Sequence, residues 1–112
     1  MAGVIEIRTY RAQPGQRDEL TEVLQTRVFK LHRDTGMRVL GVFPSADDSD
    51  TVVWLRAFPD AASRETMTKA FYGSAEWTDE LAGLVLPLIA EHTVVLLDDA
   101  PSLWSRWPDA AA

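Results

Sequence analysis

The chain contains no cysteine, which excludes a disulfide staple, a thiolate nucleophile and a zinc–thiolate site. Basic residues are in the minority: 11 Lys and Arg against 17 Asp and Glu leave a formal charge of −6 and a pI near 4.7. A surface of that sign gains nothing from displacing counterions along a phosphate backbone, so nucleic acid is not an expected partner. No apolar run approaches the roughly 20 residues that a membrane span requires. The start Met1-Ala2-Gly3-Val4-Ile5-Glu6 lacks the basic and long apolar regions of a secretion signal. Together these absences predict a cytoplasmic protein with no membrane partner. Also missing are the GxGxxG and GxxxxGK phosphate loops and the GxSxG nucleophile elbow. There are only two histidines, without HxxxH spacing, so no metal site and no cofactor are expected. The acidic run Asp47-Asp48-Ser49-Asp50 lacks the glycine and distal glutamate of a calcium loop and reads as a solvated hairpin tip.

What is present is a chain of 112 residues, 46% of them apolar, enough for one core and too little for two. Val4 to Arg11 alternates Ile5, Ile7 and Thr9 against Glu6, Arg8 and Tyr10, the period of a strand. After the turn Pro14-Gly15, the residues Leu20, Leu24, Val28 and Leu31 follow helical spacing to about Asp34, where Gly36 supplies a stop. Phe29 falls about 180° from that stripe at ~100° per residue, which predicts an aromatic on the outer face. His32 reads as a surface residue favoured by the helix C-terminal dipole. Met37 to Phe43 and Thr51 to Phe58 read as a hairpin of two strands. Asp60 is placed to cap a helix running to about Phe71, Gly73 breaks it, and Ser74 can cap another that Pro87 kinks or ends. A last, largely apolar strand covers His92 to Leu97, which bounds a domain at residues 1–97 and leaves 98–112 as a C-terminal tail. Of the tail's Trp104 and Trp107, at least one is expected to be buried.

This order specifies an α+β, ferredoxin-like β-α-β-β-α-β fold with a four-stranded antiparallel sheet, its second helical region broken near Gly73. Its helices cover one sheet face only. Ile5, Ile7, Val53, Leu55 and Ala57 suit dry packing under helices, which assigns Glu6, Arg8, Tyr10, Trp54, Arg56 and Phe58 to the open face. A second copy of the chain would then bury those rings and match Glu6 with Arg8 or Arg56.

Five pieces of the sequence support a family resemblance. They are Glu6-Ile7-Arg8-Thr9-Tyr10 with Pro14-Gly15; Gly36-Met37-Arg38-Val39-Leu40-Gly41; Val52-Val53-Trp54-Leu55 with Ala57-Phe58; Ser74-Ala75-Glu76-Trp77; and Leu86-Pro87-Leu88. In this order the chain resembles the NIPSNAP family of dimeric α+β barrel proteins over residues 4–97. The resemblance implies a homodimer formed sheet to sheet. Relatives in the wider group include cofactor-independent oxygenases, cyclases, isomerases and haem-handling proteins. In the cyclases a pocket lies between sheet and helices, and a tyrosine and a histidine near the break in the second helical region do acid–base work. At that place this chain has Tyr72, Glu76 and Trp77, with no histidine.

The candidate catalytic groups are therefore Glu76, Tyr72 and His92. Glu76 beside Trp77 could serve as a general base if desolvated, or could simply favour the first turn of a helix. Tyr72 could donate a proton to a developing enolate or phenolate, or be a half-buried core ring. His92, at the start of the last strand, faces the cavity or only its rim. Trp54, Trp77 and Phe43 could stack on a flat hydrophobic ligand or serve as packing, with Arg8 orienting an oxygen atom and Tyr10 beside it. The expected function is a small-molecule-binding homodimer, a cofactor-independent tailoring enzyme of cyclase, isomerase or monooxygenase type acting on an aromatic or polyketide-like compound. The alternatives are a non-catalytic binding or scaffold dimer and a haem-binding oxygenase.

Overall fold

The computed structural model describes residues 3–110. Met1 and Ala2 of the N-terminal reading, and the last two alanines of the run at 110–112, lie outside them. Strand β1 (Gly3–Ala12) leads through Gly15, whose φ of 77° suits only glycine, into helix α1 (Arg17–Val23). One π turn, Leu24–Val28, separates α1 from α2 (Phe29–Asp34). Gly36 ends this helical run at φ 91°, the left-handed stop expected of it. Strands β2 (Arg38–Pro44) and β3 (Thr51–Phe58) form the hairpin. Helix α3 (Ala61–Tyr72) is capped by Asp60, whose carboxylate accepts from the Ser63 N–H at 2.7 Å. Beyond Gly73, a second π turn (Trp77–Leu81), the short helix α4 (Ala82–Val85) and a 3₁₀ turn around Pro87 (Leu86–Leu88) lead into β4 (Ile89–Asp99). Helix α5 (Leu103–Arg106) follows.

The sheet is antiparallel throughout, in the order β2-β3-β1-β4, which is the ferredoxin-like arrangement. Its main core lies under the helices, where Leu20, Leu24, Val28, Phe29 and Leu31 meet Tyr10, Val52, Trp54 and Phe58. This reverses the expected assignment of the two faces. Glu6, Arg8, Tyr10, Trp54 and Arg56 point toward the helices, while Ile5, Ile7, Val53, Leu55 and Ala57 occupy the open face. The reason is that the helices carry polar partners as well as apolar ones, so the charges are satisfied inside a single chain.

The π turn accounts for a second correction. One extra residue in a helical turn rotates everything beyond it by ~100°, the step of one residue at 3.6 per turn. Phe29 and His32, both expected on the surface, are carried inward and are 1% exposed. The open face is covered over one part by the chain's own end: Leu103 and Trp104 pack on a small cluster of Ile5, Leu40 and Ala57. Asp99, fully buried, caps α5 by accepting from the N–H groups of Leu103 and Trp104 at 2.8 and 2.9 Å. The Trp107 indole donates to the Leu40 carbonyl at 2.9 Å, and the Ala110 N–H to that of Val39 at 2.8 Å, so the tail is fastened along β2. Trp104 is half-buried, whereas Trp107 is 49% exposed.

Candidate functional site

The polar residues under the helices form one connected network. In the β1–β3 register Glu6 lies opposite Arg56, and Arg8 opposite Trp54, which sets these side chains on one face. Glu6 is fully buried. Its Oε1 accepts from Arg8 Nη1 at 2.6 Å and Arg56 Nε at 2.9 Å, and its Oε2 from Arg64 Nε on α3 at 2.7 Å. Burial alone would raise the Glu6 carboxyl above its ordinary pKa, but Arg56, Arg64 and Arg8 outweigh that and hold it below. Arg56 extends the network, its Nη1 lying 3.1 Å from His32 Nε2 and 3.2 Å from the Tyr72 hydroxyl oxygen.

His32 has a defined tautomer in this setting. Nδ1 is 2.8 Å from the Val28 carbonyl and must donate, so Nε2 is left to accept from Arg56. Desolvation, with the nearby Arg56 charge, pushes its pKa down to about 3, and the ring is neutral near pH 7.

Two phenols complete the arrangement. The Tyr10 oxygen accepts from Arg8 Nε at 3.2 Å, as the Tyr72 oxygen does from Arg56. A hydroxyl that accepts from a guanidinium still has its own proton to give. Desolvation raises the Tyr10 pKa despite the opposing Arg8 charge, so Tyr10 is a proton donor and not a phenolate.

Both phenols line a recess of about 260 Å³ between the sheet and the second helical region, together with Arg8, Trp77, Val85, Leu86, Ile89 and His92. The floor is polar: Arg8, with 12% of its side chain exposed, and Tyr10. The upper wall is apolar, and the rim is formed by the exposed Leu86 and His92. His92 pairs with Tyr10 across β1 and β4, the ring centroids 6.1 Å apart and nearly perpendicular. Trp77 stands edge to face with Tyr72 at 5.3 Å.

Of the residues singled out from sequence, Tyr72, His92, Trp77, Arg8 and Tyr10 converge on this recess. Trp54 lies deeper, 1% exposed, with the guanidinium carbons of Arg8 and Arg56 at 5.5 and 5.8 Å from its ring centre. Glu76 is exposed at the N-terminal side of the second π turn and does not line the recess. Phe43 is 54% exposed on the opposite sheet face, against a wholly apolar cleft of about 100 Å³ with Leu40, Leu55, Leu103 and Trp107. The groups that sequence reading missed are His32, turned inward by the π turn, and Arg64, which reaches Glu6 from α3. No cluster of His, Asp or Glu able to hold a metal occurs among the described residues, and no helix there is long and apolar enough to cross a membrane.

The NIPSNAP family model matches residues 5–99, nearly the whole of the sheet and its helices. The chain belongs to the NIPSNAP family. Among solved structures, a NIPSNAP-like domain protein from Burkholderia xenovorans is similar with a TM-score of 0.77 at 20% identity, over 86% of this chain and 84% of that one. A NIPSNAP family protein of unknown function from Agrobacterium tumefaciens gives 0.75 at 19% identity, over 87% of each chain. A Nitrosomonas europaea protein provisionally named an antibiotic biosynthesis monooxygenase gives 0.71 at 16% identity, over 90% of this chain and 93% of that one. At these identities the likeness is one of fold. No curated protein matches the sequence. The NIPSNAP region ends where β4 ends, and the α5 strap follows it.

Proposed function

We propose that this NIPSNAP protein is a homodimeric, cofactor-independent enzyme that moves protons on a small hydrophobic compound, aromatic or polyketide-like, bound in the recess at Arg8. The observation that carries this reading is the convergence, on one partly closed recess, of two phenol donors each backed by a guanidinium, an imidazole at the rim and an aromatic wall. His92 takes a proton from the carbon next to a carbonyl. Tyr72 and Tyr10 donate hydrogen bonds to the oxygen where negative charge develops, and Arg8 stabilises that charge. Arg8 and Tyr10 are largely buried, and low-dielectric surroundings strengthen their interactions. The provisional name of the Nitrosomonas neighbour is compatible with chemistry on such compounds.

The homodimer rests on the open face and on β4. Val94, Val95, Leu96 and Leu97 are all at least 40% exposed, so this edge strand presents apolar side chains on both faces. Edge strands that stay free in solution are normally protected by charge, proline or a covering segment. Here α5 packs over Ile5, Leu40 and Ala57 and leaves the aliphatics of β4 exposed, and a second copy covers them.

The test uses 1-phenyl-1,3-butanedione, an aromatic β-diketone, and follows exchange of its central C–H for deuterium by NMR. The protein should accelerate exchange over buffer, with Tyr72→Phe and His92→Gln each slowing it on the order of 10²-fold, the lower end for acid–base groups. Glu76→Gln should leave the rate unchanged, because Glu76 lies outside the recess. Failure of the unaltered protein to exceed buffer would remove the catalytic reading.

A further inference from the structure

Buried charges in proteins are ordinarily matched, because an uncompensated ion in a low-dielectric site is costly. Here three guanidinium groups, those of Arg8, Arg56 and Arg64, share the single carboxylate of Glu6. His32 contributes no charge near pH 7. Arg64 is partly in water, with 38% of its side chain exposed, but Arg56 and Arg8 are 2% and 12% exposed. Within this network the two buried cations therefore exceed the one buried anion; the other buried carboxylate, Asp99, lies on the opposite sheet face, where it caps α5.

Arg56 bonds to Glu6 through Nε and to His32 and Tyr72 through Nη1, all inside the protein, and it does not line the recess. Arg8 differs. Its hydrogen bonds go to Glu6 through Nη1 and to Tyr10 through Nε, whereas a guanidinium carries five N–H donors, and Arg8 borders the recess. Carboxylates on the neighbouring elements do not supply the missing charge. Glu76, Asp79 and Glu80 on the second helical region and Glu91 on β4 are all exposed, and Glu80 and Glu91 are already paired with Arg27 and Arg11. The recess is thus a positively charged floor with two phenol protons beside it, under an apolar and aromatic wall, within a protein of net negative charge.

We infer that the recess selects its ligand as an anion, specifically a small aromatic carboxylic acid whose carboxylate takes the free donors of Arg8 and the hydroxyls of Tyr10 and Tyr72 while its ring lies against Trp77, Val85 and Ile89. A carboxylate fits because it is acceptor-only, planar and matched to the guanidinium fork. The inference rests on the recess being the binding site and adds the charge of what enters it.

Calorimetric titration with 2-naphthoate and its neutral isostere 2-naphthamide tests it. The acid should bind at least tenfold more tightly than the amide, and added salt should weaken the acid alone. Arg8→Met should abolish the preference while the amide still binds. Arg8→Lys keeps a cation beside Glu6 if the methionine variant fails to fold, and should retain only part of the preference, since the fork is lost. Equal or tighter binding of the amide to the unaltered protein would overturn the anion inference and leave the recess standing. Binding of neither compound would overturn both.

Discussion

The two faces of this sheet divide their chemistry in the opposite sense from an ordinary two-layer protein. The face under the helices holds Glu6, Arg8, Tyr10, Trp54 and Arg56, and the face away from them holds Ile5, Ile7, Val53, Leu55, Val95 and Leu97. Helical cover therefore cannot be inferred from hydrophobicity alone. The covered face carries a polar network beside its core because α2 and α3 bring His32, Arg64 and Tyr72 to meet it, so that Glu6 is bonded at both oxygens. The open face is aliphatic, which suits a surface kept dry, partly by α5 and, on the proposed dimer, by a second copy. On the function proposed, one face takes a ligand and the other a partner.

The largest effect should come from removing the centre of the covered face. Glu6→Gln keeps the shape but leaves Arg56 and Arg8 buried without their counter-charge, a change that costs about 3–5 kcal/mol in comparable buried pairs. Urea unfolding at pH 7 measures it. The Glu6 pKa is depressed in the folded state, so its contribution is present above the unfolded carboxylate pKa of about 4.3 and is lost as pH falls through the lower folded value. The variant should lose that acid-limb dependence. A loss under about 1 kcal/mol at pH 7 would mean that the guanidinium groups are compensated elsewhere.

Much of the architecture is legible in the sequence. The strand periods, Asp60 as a cap, Gly36 as a stop and the interruption at Gly73 are local signals, and each element they predict is present. The convergence of Tyr72, Trp77, Arg8 and Tyr10 was legible only as a list of residue types. Which face those side chains take was not legible, because alternation along β1 defines two sets without saying which lies under a helix. The decisive partners, Arg64 and His32, are 58 and 26 residues from Glu6 in sequence, and His32 reaches it only through Arg56. No periodicity marks the π turn at Leu24–Val28, yet without its extra residue Phe29 and His32 would stay on the outer side of the helix.

His32 offers a second and smaller perturbation of the covered face. Its folded pKa of about 3 lies below the unfolded value of 6.5. Between these values the unfolded chain holds a proton that the native ring refuses, so the native state loses stability as pH falls from 6.5 toward 3, by up to about 1.4 kcal/mol per pH unit. Above pH 6.5 the ring is neutral in both states and the dependence from this group ends. His32→Gln retains an acceptor for Arg56 and removes the titration. The slope of unfolding free energy between pH 6.5 and 5 should therefore flatten in the variant, while Glu6 titrates lower and does not interfere. An unchanged slope would place the proton uptake on another group.

The open face should respond in the opposite way, losing assembly while keeping its fold. Leu97 sits opposite Ile5 on the open face and is 40% exposed. A charge there meets water in a lone subunit, so Leu97→Glu should change unfolding free energy by no more than about 0.5 kcal/mol, the ordinary range for surface positions. Across a sheet-to-sheet interface the same charge would be buried without a partner and would be costly. Light scattering should then report a dimer for the unaltered chain and a single subunit for the variant, with unchanged circular dichroism. If the unaltered chain is already a single subunit at working concentration, the exposed aliphatics of β4 serve something other than a second copy. The two faces would then differ in polarity without differing in the kind of molecule they await.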